Sequence, residues 1–190
     1  MMDRNEVNPG EGGMVNPLSS FFWALASRMY KENALSDITY ALLEADESFR
    51  KFFLDFFFKE EQLNGKDVSV AREYVIGDSR PGFWIRSEKE VYLVEFKIYD
   101  EKHHFEQYRK ILETEGSKKR PWSRLGYIAN YSLKDVEVFD NGSIRKASEL
   151  GCHLREWKDF QQELEKRNES GIRKSADSCI SLLFEMCLPI

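Results

Sequence analysis

The sequence predicts an α/β sandwich with a central mixed sheet flanked by helices. Three patterns point there. Apolar residues recur at helical spacing through the first third of the chain. Alternation with period two takes over from about Val68 to Ile98. Helix, strand, strand and helix then follow in that order.

Met1 to Val15 is polar and glycine-rich and reads as a loose arm; residues 16–190 read as one domain. Asn16-Pro17 looks like a cap and first-turn proline, followed by Leu18, Phe21, Phe22, Leu25 and Met29 at helical spacing. A second helix is expected over Ala34 to Ala45. A third begins after Asp46 and turns Phe49, Phe52, Phe53, Phe56 and Phe57 inward, until "LNGKD" breaks it. Val68 to Gly77 reads as a strand, "DSRPG" as a turn, "FWIRS" as a second strand and "EVYLVEFKI" as a third. A helix from about Glu101 to Glu113 comes next. The loop "KKRPWS" leads into the strand "RLGYIANYS", and a short strand near "CHLREW" precedes the helix "KDFQQELEKR". "VEVFDNGSI" has an alternative as a surface hairpin, because Asn-Gly favours a tight turn. The terminal "SCISLLFEMCLPI" is apolar, and is expected to dock on the core or to join two copies as a homodimer.

Composition narrows the class. The 190 residues suffice for one sizeable core. Fourteen Phe, eight Tyr and four Trp supply bulky material for it. No apolar run approaches the roughly 20 residues of a membrane span, so no membrane partner is expected. Cys152, Cys179 and Cys187 are odd in number and lack metal spacing, and the N-terminus has no apolar leader, which together suggest a reducing cytoplasm. A net charge of -5 argues against a general nucleic-acid coat protein. It leaves room for a cleft that grips a phosphate backbone locally.

Glu95 and Lys97 interrupt the most apolar strand. Two residues apart, they share one face, while Tyr92, Val94, Phe96 and Ile98 take the other. A carboxylate beside an ammonium suits metal-assisted hydrolysis. The acid would hold a hard divalent cation, Mg²⁺ or Mn²⁺, and the amine would orient water and offset phosphate charge. The competing reading is a half-exposed surface ion pair worth about 0–1 kcal/mol.

The order "SRPGFWI" then "EFK" resembles the PD-(D/E)XK nuclease superfamily, in which an Asp heads one strand and Glu-x-Lys lies on the next. Glu95-Phe96-Lys97 match the second motif. "KENALSDITYALLE" resembles the family's early helix, with Glu32 at its acidic position, and "HHFEQYRKIL" the following helix, with Gln107 at its glutamine. The resemblance implies a restriction-endonuclease-like fold and cleavage of DNA or RNA with Mg²⁺ or Mn²⁺. Glu95, Glu32 and the Phe96 carbonyl would bind the metal, and Lys97 and Gln107 would serve the chemistry. Gly82 stands where the family's metal-binding Asp is expected. Three readings stay open: lost catalysis, an inactivating change at position 82, or Asp78 swinging in as a substitute ligand. A nucleic-acid- or protein-binding module that has lost hydrolysis is the alternative function.

Other residues carry weaker signals. Glu73 could approach the site or face solvent from an outer strand. Adjacent His103 and His104 make a poor chelating pair. Trp122 near Lys118, Lys119 and Arg120 could stack a base or simply sit in the core.

Overall fold

The computed structural model of the chain describes residues 31–59, 63, 67–98, 102–116 and 118–169. The expected N-terminal arm, the first helix after Asn16 and the apolar C-terminal tail lie outside these residues, and with them the suggested dimer contact.

The fold is α/β, with a mixed five-stranded sheet and helices beside it. Helix α1 spans Lys31–Ala45, starting earlier than expected, and α2 spans Glu47–Phe58. Asp46 separates them. Its backbone is extended, and its Oδ1 accepts from the N–H groups of Ser48 at 2.8 Å and Phe49 at 3.1 Å, so it caps α2. Strand β1 is Ser69–Arg72, β2 is Phe83–Arg86 and β3 is Val91–Lys97, and each neighbouring pair is antiparallel. The chain crosses through α3, Phe105–Glu115, to β4, Leu125–Ala129, which runs parallel to β3. Strands β5, Glu137–Asp140, and β6, Ser143–Lys146, form a separate hairpin. Asn141 and Gly142 close it, with φ of 49° and 83°, as a two-residue turn that matches strand twist requires. The surface-hairpin alternative for this stretch is therefore the observed one. Strand β7, His153–Glu156, pairs parallel with β4, and α4, Trp157–Glu169, ends the described chain.

The expected first strand is shorter than predicted. It stops at Arg72, because Glu73 takes φ 48°, a left-handed conformation that breaks the pleat. Residues 73–82 then form a closed excursion. Its neck is held by the Glu73 N–H donating to the Gly82 carbonyl at 3.2 Å, and its tip by a two-way pairing of Ile76 with Ser79 at 3.0 Å.

Both faces of the sheet are covered, and all seven residues of β3 are buried. On one face α1, α2 and α4 pack an aromatic cluster centred on Phe53. Its ring lies 5.0 Å from Phe57, 5.8 Å from Phe83, and 6.2 Å from both Phe96 and Phe160. On the other face α3 lays Phe105 flat on Tyr127 at 4.6 Å and buries Tyr108, Ile111 and Leu112. Tyr92, Val94, Phe96 and Ile98 join the first layer, as expected from their alternation. Trp122 is half-buried against Phe105, its ring 6.5 Å away, so it belongs to the core.

Candidate functional site

Strand β3 carries Glu95 and Lys97 on the face covered by α3. Only 7% of Glu95 and 4% of Lys97 is exposed, which excludes a surface ion pair. Lys97 Nζ lies 3.2 Å from Glu95 Oε1. The other oxygen, Oε2, accepts the Gly82 N–H at 2.8 Å and the Tyr108 hydroxyl at 2.9 Å. Burial pushes the Glu95 carboxyl above the usual carboxylate range, while Lys97 and the two hydrogen bonds pull it back. The same burial, reinforced by the adjacent Glu95 charge, pushes the Tyr108 hydroxyl up, so it stays protonated and donates.

Each partner is positioned by a local rule. Tyr108 follows Phe105 at i+3, on the buried stripe of α3. Gly82 sits at the entry to β2, directly opposite the end of β3. A Cβ built on Gly82 would lie 3.5 Å from Glu95 Oε2 and 3.1 Å from the Val94 carbonyl oxygen. Gly82 therefore faces the predicted acid, and it offers a backbone N–H and no carboxylate. Lys97 is anchored through its own carbonyl, which accepts the Trp157 indole N–H at 3.2 Å.

Two hollows open on either side of this cluster and share Glu95 and Arg80. One, of about 170 Å³, lies between Asn33 and Ser36 of α1 and Arg72 and Glu73 at the end of β1. The other, of about 320 Å³, lies between Asp78 and Ser79 of the excursion and His104, Gln107 and Tyr108. Larger clefts elsewhere, such as the one of about 390 Å³ beside Asp55, Arg155 and Asp159, contain none of the predicted site residues.

The placement of the predicted residues is uneven. Glu95, Phe96, Lys97, Gly82, Gln107, Glu73 and Asp78 all line one hollow or the other. Gln107 is exposed, and its Oε1 accepts from the Ser79 hydroxyl at 3.3 Å, tying the excursion to α3. Glu73 leaves the strand and lines the hollow while staying exposed to solvent, its Oε1 3.2 Å from Arg72. Glu32 falls within α1, and its side chain lies outside the described residues. His103 packs against Tyr127 while His104 turns toward Tyr108, so the adjacent imidazoles diverge. Burial pushes the Cys152 thiol up to about 12, which leaves it protonated at neutral pH.

The donor set is of the right type for a hard cation but short in number. Among the described residues no group of three or more His, Cys, Asp or Glu converges. Glu95, the buried carboxylate among the described residues lining the hollows, already accepts from three donors. As the described residues stand they are one carboxylate short of a Mg²⁺ site.

Tyr108, Arg80 and Arg72 were not singled out from the sequence. The i, i+3 spacing of Phe105 and Tyr108 could have found Tyr108; nothing local marks the two arginines. Comparison with family models, with curated proteins and with solved structures finds no match. Among the described residues no helix is long and apolar enough to cross a membrane.

Proposed function

We propose that this chain is a nuclease-type phosphodiesterase of the PD-(D/E)XK kind, on a restriction-endonuclease-like core, whose metal site lacks one carboxylate at Gly82. Its partner is DNA or RNA, and its compartment is a reducing cytoplasm. One observation carries the reading: the buried Glu95–Lys97 pair meets the Gly82 backbone at 2.8 Å where a cleft opens. A buried ion pair gains little stability over apolar side chains of the same volume, so its position beside a cleft favours a chemical role. Glu95, with Glu32 and the Phe96 carbonyl, would be the protein's share in holding Mg²⁺ or Mn²⁺, and Gln107 would lend polar support. Such a cation supplies Lewis-acid polarisation of a phosphoryl oxygen. Lys97 neutralises negative charge at the same point and holds a water against the phosphate.

The test is Gly82→Asp. A Cβ at this position would stand 3.1 Å from the Val94 carbonyl oxygen, which must give by a few tenths of an ångström, and 3.5 Å from Glu95 Oε2. We expect calorimetric binding of Mn²⁺ and Mg²⁺ to appear in this variant. Cleavage of DNA or RNA should appear with it and vanish in Gly82→Asp/Lys97→Ala. Silence of Gly82→Asp in both assays sinks the reading.

A second reading is favoured by a different observation. Every inward oxygen of Glu95 is already engaged without a metal. A carboxylate engaged in this way suits a module that binds nucleic acid or protein without hydrolysis. Nucleic-acid binding by the unaltered chain, with no gain of cleavage in Gly82→Asp, identifies it.

A further inference from the structure

We propose that Arg80 is the phosphate clamp of this cleft, the residue that grips the backbone of a polynucleotide as it passes over Glu95. The inference rests on the phosphodiester reading above and adds to it the group that holds the substrate.

Among the described residues three cations border the two hollows: Arg72, Arg80 and Lys97. Two are engaged. Arg72 pairs with Asp37 at 2.7 Å and with Glu73 at 3.2 Å, bracing β1 against α1. Lys97 pairs with Glu95. Arg80 is exposed and makes no ion pair or hydrogen bond with any described residue. Among the described residues it is also the one cation that borders both hollows, so a chain lying along them passes Arg80. A planar fork of N–H donors matches two phosphate oxygens at once, which an ammonium does not.

The backbone holds Arg80 in place before any ligand arrives. The excursion that carries it is closed at the neck, between Glu73 and Gly82, and at the tip, between Ile76 and Ser79. The Ser79 hydroxyl ties the same segment to Gln107 on α3. Pro81 follows and restricts the Arg80 backbone to extended conformations. A grip on such a frame loses less entropy on binding than one on a free loop. Glu73, Asp78 and Glu95 line the same hollows and repel a polyanion, so binding there depends on the cations, of which Arg80 is the exposed and unpaired one among the described residues.

Fluorescence anisotropy tests this, using labelled single-stranded and duplex oligonucleotides in EDTA over a range of KCl. Arg80→Ala should weaken binding about tenfold and lower the salt slope by about one, equally for every base sequence. Arg80→Lys should recover the slope and part of the affinity. Unchanged affinity and slope in Arg80→Ala overturns the clamp, as does an unaltered chain that binds neither oligonucleotide. Cation binding by Gly82→Asp is measured without nucleic acid, so the clamp can fail while the phosphodiesterase reading stands, and the reverse.

Discussion

Lys97 shows how one residue depends on its neighbours. Its ammonium and the Glu95 carboxylate are each nearly inaccessible, and each is tolerable because of the other. Replacing Lys97 with Met keeps the volume and leaves a buried carboxylate without its counter-charge. We expect a loss of roughly 3–5 kcal/mol at neutral pH, the usual cost of breaking such a pair. The pH dependence has a definite sign. Removal of Lys97 raises further a Glu95 pKa that burial already lifts. The folded variant then binds a proton more tightly than the unfolded chain, so its stability falls as pH rises from the ordinary carboxylate range through the raised folded value. Urea unfolding at pH 5 and pH 8 checks this: the deficit against the unaltered protein should be smaller at pH 5. The Glu-x-Lys pair was legible in the sequence as two charges on one strand face. Its third and fourth partners, the Gly82 N–H and the Tyr108 hydroxyl, were not, since they arrive 13 residues away in either direction.

At the scale of elements, alternation and helical spacing located most of the strands and helices, and their ends moved for identifiable reasons. β1 stops early because Glu73 leaves the extended region. The hairpin of β5 and β6 stands apart from the main sheet and docks through Val138 and the buried Asp140, which faces Arg109 and Arg145. Helix α2 approaches the sheet closely because β4 carries Gly126. A Cβ there would meet the Phe57 ring at 2.7 Å and the Val94 side chain at 3.2 Å. Both neighbours are buried and confined, so Gly126→Ala overpacks the contact. A cost of about 1–3 kcal/mol, read as a lower urea midpoint with an unchanged slope, is the expected outcome. No local pattern distinguishes this glycine from one in a turn; the helix lying over it makes the difference.

Across the whole molecule, the Phe53 cluster joins α2, β2, β3 and α4 in one aromatic layer. Truncating its centre removes contacts to every one of these elements together. Phe53→Ala should therefore lower stability by roughly 3–5 kcal/mol. Tryptophan fluorescence and far-ultraviolet circular dichroism should report coincident transitions, because the strands and helices share this layer. Separate transitions for the two probes would show that the layers unfold independently.

By itself the sequence determined the alternation that buries Tyr92, Val94, Phe96 and Ile98, the aromatic face of α2, and the pairing of Glu95 with Lys97. These are local consequences of strand and helix periodicity, and periodicity is written residue by residue. Only the tertiary structure decided that the pair is buried, that Gly82 and Tyr108 close on the same oxygen, and that Arg80 borders both hollows. Those facts depend on which strands become neighbours and which helix covers them, a choice made by the packing energy of the whole chain and carried by no short segment of it.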